Sequence, residues 1–527
     1  MIKAAPIFSD DMVLQHGKPV PVWGTGVEGS TIRVVWESSQ QVEAKTKVYN
    51  GKWTLMLAPL AAGKHGELVV SDGTDEIRFK NVVTGDVWFA GGQSNMEMEL
   101  VNCKNGVEEL AACANPDIRF YDVVKRAVVD DDYLREEAAS KWQVCMPETA
   151  AMLSAVAFFF ARKINADTGI PIGIVNCSWG GTSISAWMSK EQLERSRAGQ
   201  RFIDEYAAKV GGKTTEQYNA EMEDYFARWR EWDKRIRVMR KKDPDVSWEV
   251  LNRECGQCPW PQPAGNTSPY CPGNLHTARI RRVAPFALRG FIYYQGEEDD
   301  QRADDYREMM YYLVRQWRDD WNDHSLPFLF VQLPMYASAE ELAMVHTPRH
   351  WCLMREAQYL ASLEIANTGL AVIIDCGEFD NIHPFDKQPV GFRLALQALK
   401  KVYGKDIEAD GPIFSWAETE GSAMRLHFDN AQSGLEFRGS STEKYCEAGK
   451  ADCGDIPSGF EIAGAEGAYF TAQAKIDGSD VIVCSDKVAH PQRARYAWYK
   501  YGPTPLYSKN GLPAMPFRSN KDELINI

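Results

Sequence analysis

The stretch Val87-Trp88-Phe89-Ala90-Gly91-Gly92-Gln93-Ser94-Asn95-Met96 decides the fold. Its first four residues form an apolar run that is typical of a strand buried on both faces of a parallel sheet. Two glycines follow the run, and the helix-like segment Met96-Glu97-Met98-Glu99-Leu100 overlaps its end. The sequence therefore predicts a strand-to-helix turn that exposes Ser94.

A serine on such a turn has two interpretations. Its own N–H lies near a helix N-terminus, where it can stabilise a developing oxyanion, so that the hydroxyl is a candidate nucleophile. The simpler interpretation is a helix-capping serine, which is a common use of this residue. The segment lacks the Gly-x-Ser-x-Gly pattern of the nucleophile elbow, so the turn alone does not decide between them.

The chain is predicted to combine β and α/β regions. Short alternating runs separated by turns predict an N-terminal β-sandwich-like domain over residues 1–83. Buried runs that alternate with helical stretches predict an α/β domain with a parallel sheet over 84–403, interrupted by a helical insert at about 189–272. Short strands return in 404–527, which predicts a C-terminal β domain. A length of 527 residues agrees with several packed units.

Composition excludes several classes of partner. The formal net charge of −14 argues against nucleic acid, which would require a basic patch. The sequence has no apolar stretch long enough to span a bilayer, so we expect no membrane segment. The 16 Trp and 21 Tyr suit carbohydrate binding, although an aromatic core explains them as well.

The N-terminus shows no export signal, which predicts a cytoplasmic protein, with an extracytoplasmic location as the alternative. Twelve cysteines are dispersed, and we expect mainly free thiols. A zinc or redox role for Cys255 and Cys258 is a minor alternative, because the second ligand pair that a metal site needs is missing.

Three further clusters follow apolar runs of the α/β region. Gly180 and Gly181, in Asn176-Cys-Ser-Trp-Gly-Gly-Thr-Ser183, can offer backbone N–H donors or simply form a tight turn. In Tyr293-Tyr-Gln-Gly-Glu297, the amide of Gln295 can donate to an oxyanion, and Glu297 can bind a substrate hydroxyl or order the loop.

The fourth cluster is Asp380-Asn-Ile-His-Pro384. At this spacing a carboxylate can hold an imidazole by its Nδ1–H while Nε2 deprotonates a serine. The chain has only nine histidines, so the pattern is modestly specific. Since the carboxyl ends of parallel strands meet at one edge of a sheet, we expect these clusters to converge on Ser94.

These segments resemble the SGNH/GDSL-type hydrolases and, among them, the sialate O-acetylesterase family of carbohydrate esterases. The resemblance covers nearly the whole chain, because its segments occur in order: Phe8–Gln15, Gly85–Trp88, Gly92–Met96, Ser178–Thr182, Arg289–Gly290, Tyr294–Glu297, Arg355–Gln358, His383–Pro384 with Lys387 and Gly391, Arg495–Trp498 and Gly511–Pro513.

The resemblance implies an SGNH three-layer α/β/α catalytic domain with flanking N- and C-terminal β domains. It also implies Ser94 as nucleophile and His383 as general base, with Asp380 as the third member of a triad. The N–H groups of Ser94 and Gly181 and the amide of Gln295 would form the oxyanion hole. Further candidates for substrate contact are Gly180, Glu297, Asn95 and Gln93.

The sequence departs from the family pattern at two positions of the expected sugar site. Relatives often carry tryptophan in place of Tyr293 and serine in place of Glu298. Some relatives also lack the acid before the histidine and work as Ser-His dyads. If Asp380 does not serve, the alternative acids are Asp375, Glu378 and Glu297.

The predicted function is hydrolysis of acetyl esters on sugar hydroxyls, with water as co-substrate and neither a metal nor an organic cofactor. The resemblance puts O-acetylated sialic acid first, as a sialate 9-O-acetylesterase, and acetylated xylan or another glycan second. A catalytically silent carbohydrate-binding protein and a lipase or thioesterase are the competing interpretations. A homo-oligomer through the insert or the β regions is left open.

Overall fold

The computed structural model describes residues 1–39, 41–243, 246–344, 348–439 and 458–520. Its centre is a mostly parallel sheet around the strand Glu76–Gly92, whose parallel neighbours are Ile172–Ser178 and Gly290–Tyr294. From edge to edge the strands are Gln143–Cys145, Asn115–Asp122, Ile172–Ser178, Glu76–Gly92, Gly290–Tyr294, Phe328–Gln332 and Thr368–Val372. Only Gln143–Cys145 is antiparallel to its neighbour in this series. The predicted α/β class is confirmed.

Helices cover both faces of this sheet. Successive side chains of a strand point to opposite faces. Trp88 meets Phe160 of the helix Ala155–Thr168 on one face, with ring centroids 5.0 Å apart. Phe89 meets Trp317 of the helix Ala303–Asp320 on the other, at 5.2 Å. The sheet is therefore buried on both sides, which explains why its strands are continuous apolar runs.

The α-helices of the described chain include the three long helices of the predicted insert. They are Ser94–Glu97, Gly106–Ala111, Asp131–Ala139, Ala155–Thr168, Lys190–Leu193, Arg197–Val210, Thr215–Lys242, Trp248–Cys255, Arg281–Val283, Ala303–Asp320, Ala339–Ala343, His350–Glu364 and Gln388–Lys401. Thr214 begins the longest of them with a capping box, in which its side chain accepts from Gln217 N–H while the Gln217 side chain accepts from Thr214 N–H.

The N-terminal strands join the central sheet through one continuous strand. Glu76–Gly92 pairs with His65–Ser71 and Val13–Gln15 in its first part and with the α/β strands in its second, so position 83 lies inside it. The other N-terminal strands are Lys3–Ala4, Val20–Thr25, Thr31–Glu37, Val42–Lys47 and Lys52–Leu57.

Short antiparallel strands follow the last helix, as predicted from the sequence. One sheet has the order Ile413–Glu420, Ala423–Asp429, Asp480–Cys484, Gln473–Asp477. A second has the order Tyr469–Thr471, Phe460–Ala463, Arg493–Tyr496, Phe517–Arg518, and Leu435–Phe437 pairs with Leu506–Ser508. One hydrophobic core extends from Ile2 to Phe517 and includes all three regions.

Ten cysteines fall within the described ranges, and all ten are free thiols. The same ranges contain no group of three His, Cys, Asp or Glu side chains that could hold a metal ion. None of the helices they include combines the length and the apolar character needed to cross a membrane.

Candidate active site

The turn before Ser94 is fixed by its neighbouring strands. Gln93 N–H donates to the carbonyl oxygen of Tyr294 at 3.0 Å, and Trp179 N–H donates to that of Gly92 at 3.0 Å. Gly92 has φ 135°, and a Cβ there would lie 2.1 Å from the Tyr294 oxygen. Only glycine fits this close approach. Ser94 consequently starts its short helix at the carboxyl edge of the sheet, where it is partly exposed.

Ser94 and His383 meet at this edge, with 2.8 Å between the serine Oγ and the histidine Nε2. The side chain of Asn381 fixes the histidine turn, since it accepts from His383 N–H and donates to His383 carbonyl, each at 3.0 Å. The distance is that of a hydrogen bond along which the hydroxyl proton can pass to the imidazole.

The imidazole is held in its neutral form. Burial lowers the pKa of His383 to about 4, and the positive charge of Lys387 acts in the same direction. A histidine with this pKa is unprotonated at neutral pH, so that Nε2 can accept a proton from Ser94.

The expected Asp380–His383 hydrogen bond is not formed. Asp380 adopts a left-handed backbone conformation with φ 52°. Its carboxylate accepts from Ala339 N–H at 3.2 Å and from Asn252 Nδ2 at 3.1 Å. The three-residue spacing suggested a contact within one turn, but the acid instead connects the turn to the helix Ala339–Ala343 and to the insert.

The alternative acids are engaged elsewhere as well. Asp375 forms an ion pair with Arg393, Glu378 accepts from Asn381 and Phe385, and Glu297 accepts from Asn95. Within the described residues, no carboxylate forms a hydrogen bond with His383. The geometry is that of a serine-histidine pair without a third member.

Two backbone N–H groups beside Ser94 are unoccupied. Gly180 N–H donates to the Glu97 carboxylate at 2.5 Å, so it is not free. The N–H groups of Ser94 and Gly181 have no acceptor within the described part of the chain. Gly180 packs directly on the serine, since a Cβ at this glycine would lie 3.3 Å from Ser94 Cβ. The choice of Gly181 over Gly180 as a donor agrees with this arrangement, and Glu97, which the sequence did not single out, explains it.

Gln295 does not offer its amide to Ser94. Its Nε2 donates to Asp299 Oδ2 at 2.7 Å and to the carbonyl oxygen of Thr182 at 3.2 Å. Both amide hydrogens are used, so the predicted oxyanion contact is not made. Gln295 instead fixes the loop that contains Gly181, because it binds the carbonyl of the next residue.

Asn95 connects the serine turn to the histidine turn. Its Nδ2 donates to Ile382 carbonyl at 2.9 Å and to Glu297 Oε1 at 2.6 Å, and its Oδ1 accepts from Lys387 Nζ at 2.6 Å. Burial lowers the pKa of Lys387 to about 8 and raises that of Glu297 to about 7. The role of Lys387 was missed, although its place four residues after His383 in the family segment was a signal.

Two further candidates for substrate contact form part of the scaffold. Asn95 and Glu297 bind each other, and Gln93 Oε1 accepts from the N–H groups of Gly296 and Glu298, each at 3.3 Å. These contacts hold the loop that follows the strand Gly290–Tyr294 against the serine turn.

A cavity of about 350 Å³ adjoins the site. Gly181 and Glu298 line it on the side of Ser94, and residues of the insert, among them Trp260 and Tyr206, line the opposite side. Its volume is within the range of small-molecule sites. Trp260 was missed because no local pattern distinguishes a tryptophan that reaches the site from an insert.

Comparison with known proteins identifies relatives over nearly the whole chain. The family model described as carbohydrate esterase, sialic acid-specific acetylesterase, matches residues 84–230 and 269–397. The mouse sialate O-acetylesterase is 26% identical, with 97% of this chain and 93% of that protein covered. The human sialate O-acetylesterase is 25% identical, with 78% and 73% covered.

A solved structure agrees with these relatives. A carbohydrate acetylesterase from Xanthomonas citri is similar with a TM-score of 0.73 and 31% identity, over 99% of this chain and 100% of that one. The family model alone matches more than half of the chain. The chain therefore belongs to the carbohydrate esterase family of sialic acid-specific acetylesterases, and it is a carbohydrate O-acetylesterase, which is a carboxylic-ester hydrolase.

Proposed function

We propose that this chain removes acetyl groups from sugar hydroxyls with Ser94 as nucleophile and His383 as general base, and that O-acetylated sialic acid is its substrate. The observation that carries the proposal is the 2.8 Å contact between Ser94 Oγ and His383 Nε2 at the carboxyl edge of the sheet. The names of the mouse and human relatives support the sugar. Acetylated xylan and other glycans are the alternatives.

In the first step Ser94 Oγ bonds to the acetyl carbonyl carbon and its proton moves to His383 Nε2. The bond between that carbon and the sugar oxygen then breaks, and the histidine gives its proton to this oxygen. The sugar alcohol departs and leaves an acetyl group on Ser94. The low pKa of His383 supports both transfers, because the imidazole is neutral at the start and a strong acid once protonated.

In the second step water attacks the acetyl carbon and passes a proton to His383 Nε2. The bond to Ser94 Oγ breaks, the serine recovers its proton, and acetic acid leaves. The free N–H groups of Ser94 and Gly181 are suited to bind the negative oxygen in both steps. Loss of such a donor typically costs about a hundredfold or more in rate.

We further propose that residues 84–403 form an SGNH-type three-layer domain between β domains 1–83 and 404–527. Helices on both faces of the sheet support the layers. The strand Glu76–Gly92 makes the first boundary a continuous connection rather than a linker.

The test is acetate release by Ser94→Ala and His383→Ala. Each variant should lose at least about a thousandfold in kcat on p-nitrophenyl acetate, whereas Ser30→Ala, on a turn between N-terminal strands, should keep wild-type rates. A panel of O-acetylated sialic acid, acetylated xylan and other acetylated glycans decides the sugar. Full turnover by Ser94→Ala would remove the nucleophile, and glycan binding without acetate release by the wild type would indicate a silent binding protein.

A further inference from the structure

One wall of the cavity beside Ser94 comes from a segment outside the family match. The matched residues end at 230 and resume at 269, and Trp260 lies between them. The opposite wall contains Glu298, at a position where we expect serine in relatives. The walls thus combine two features that distinguish this chain from the family pattern, directly beside a site that the pattern defines.

Trp260 is held at one edge and open on its surface. Its ring lies against Gly181, since a Cβ at this glycine would come within 2.1 Å of the ring atom Cη2. It also packs edge-to-face on Tyr270, with ring centroids 5.7 Å apart at 90°. Even so, 48% of the residue is exposed. A tryptophan that is fixed by neighbours and remains open is a ready platform for a ligand.

Glu298 supplies a polar group on the opposite wall. Its N–H donates to Gln93 Oε1, which holds the residue next to the serine turn. Its carboxyl group lines the cavity and has no hydrogen-bond partner within the described residues. Burial raises the pKa of this carboxyl to about 8, so at neutral pH it can both donate and accept.

We propose that this cavity binds the sugar ring of the acetylated substrate, with Trp260 packed on the apolar face of a pyranose and Glu298 bound to one of its hydroxyls. The inference rests on the proposed function and adds where the sugar is recognised. A pyranose ring presents C–H groups on one face and hydroxyls around its edge, which matches an indole on one wall and a carboxyl on the other. A planar ester without a sugar gains little from either residue.

The position of the cavity agrees with the chemistry. Gly181 belongs both to the cavity wall and to the proposed oxyanion site. An acetyl ester on a hydroxyl of the bound ring therefore has a short path to Ser94. The insert, for which the sequence indicated no chemistry, acquires the role of completing the sugar site.

The test compares two substrates in each variant: the best acetylated glycan of the panel and p-nitrophenyl acetate. Trp260→Ala should lower kcat/KM for the glycan at least tenfold more than for the simple ester, equivalent to about 1.4 kcal/mol, and mainly through KM. Trp260→Phe should recover most of the difference, because it restores an aromatic surface. Glu298→Ala, on the other wall, should show the same selective loss.

The control is Trp416→Ala, which removes an exposed tryptophan from the strand Ile413–Glu420 and should leave both rates within about twofold of wild type. Equal losses on both substrates in the Trp260 and Glu298 variants, or no loss on either, would overturn the sugar site. A wild-type protein that releases acetate from the simple ester but from no glycan would instead overturn the proposed function.

Discussion

Lys387 Nζ lies 2.6 Å from Oδ1 of Asn95, the residue that follows Ser94 in the chain. Both side chains are buried, and the amide of Asn95 also binds the carbonyl group that precedes His383. The two catalytic turns are thus joined below the reacting atoms. Where a serine-histidine-acid triad uses a carboxylate to orient its imidazole, this site orients the whole histidine turn through an amide and a buried cation.

Lys387→Met should move the pH dependence of hydrolysis. The positive charge of Lys387 helps to lower the pKa of His383, so its removal raises that pKa and leaves less neutral imidazole in acid. The acid limb of the kcat/KM profile on p-nitrophenyl acetate should move to higher pH by about one unit. Lys163→Met, which removes the partner of Asp167 on a helix surface, is the control. An unchanged acid limb, or one at lower pH, would contradict the role of the charge.

Asn95→Ala should cost both stability and rate. It leaves Lys387 Nζ and Glu297 Oε1 without their partner, and a buried polar group left unsatisfied costs about 1–3 kcal/mol of unfolding free energy. It also releases the histidine turn, and a small misplacement of a catalytic group can cost about a hundredfold in kcat. Urea unfolding and ester hydrolysis measure the two effects.

The matched control is Asn165→Ala. Asn165 also donates to a backbone carbonyl, that of Ile170, and accepts from Asn115, but it lies in the helix Ala155–Thr168. This variant should lose stability and keep the wild-type kcat. If both asparagine variants kept the same kcat, Asn95 would be a structural residue only.

Asp380→Asn should retain activity within about threefold of wild type, because no hydrogen bond connects this carboxylate to His383. The asparagine can still accept from Ala339 N–H, so the turn keeps a contact. In a serine protease triad the equivalent change lowers kcat by about 10⁴. A loss of a hundredfold or more on p-nitrophenyl acetate would restore Asp380 as the third member.

The sequence predicted the parts of the fold that depend on local pattern. The runs at Val87–Ala90 and Gly290–Tyr294 are apolar because both faces of the sheet are covered, and each ends in the small or polar residues that form the site. Order along parallel strands then brings Ser94 and His383 to one edge.

The remaining parts depend on side-chain direction and distant partners. Asp380 turns away because its backbone is left-handed and because Ala339 and Asn252 offer donors, and neither is near it in sequence. Gln295 is taken by Asp299 and Thr182 for the same kind of reason. Residue type and spacing state what a group can bind, but not which of several partners the packing brings within reach.

Gly92→Ala should destabilise the protein by about 3 kcal/mol or more, because its backbone has φ 135° and the new Cβ would lie 2.1 Å from the Tyr294 oxygen. Gly17→Ala is the matched control. Gly17 also has positive φ, 71°, but a Cβ there meets no heavy atom within 4 Å, so only about 1 kcal/mol of backbone strain is expected. Urea unfolding of both variants separates the two costs. Equal losses would mean that the strand Gly290–Tyr294 can shift aside, and that the turn before Ser94 is less tightly fixed than its hydrogen bonds imply.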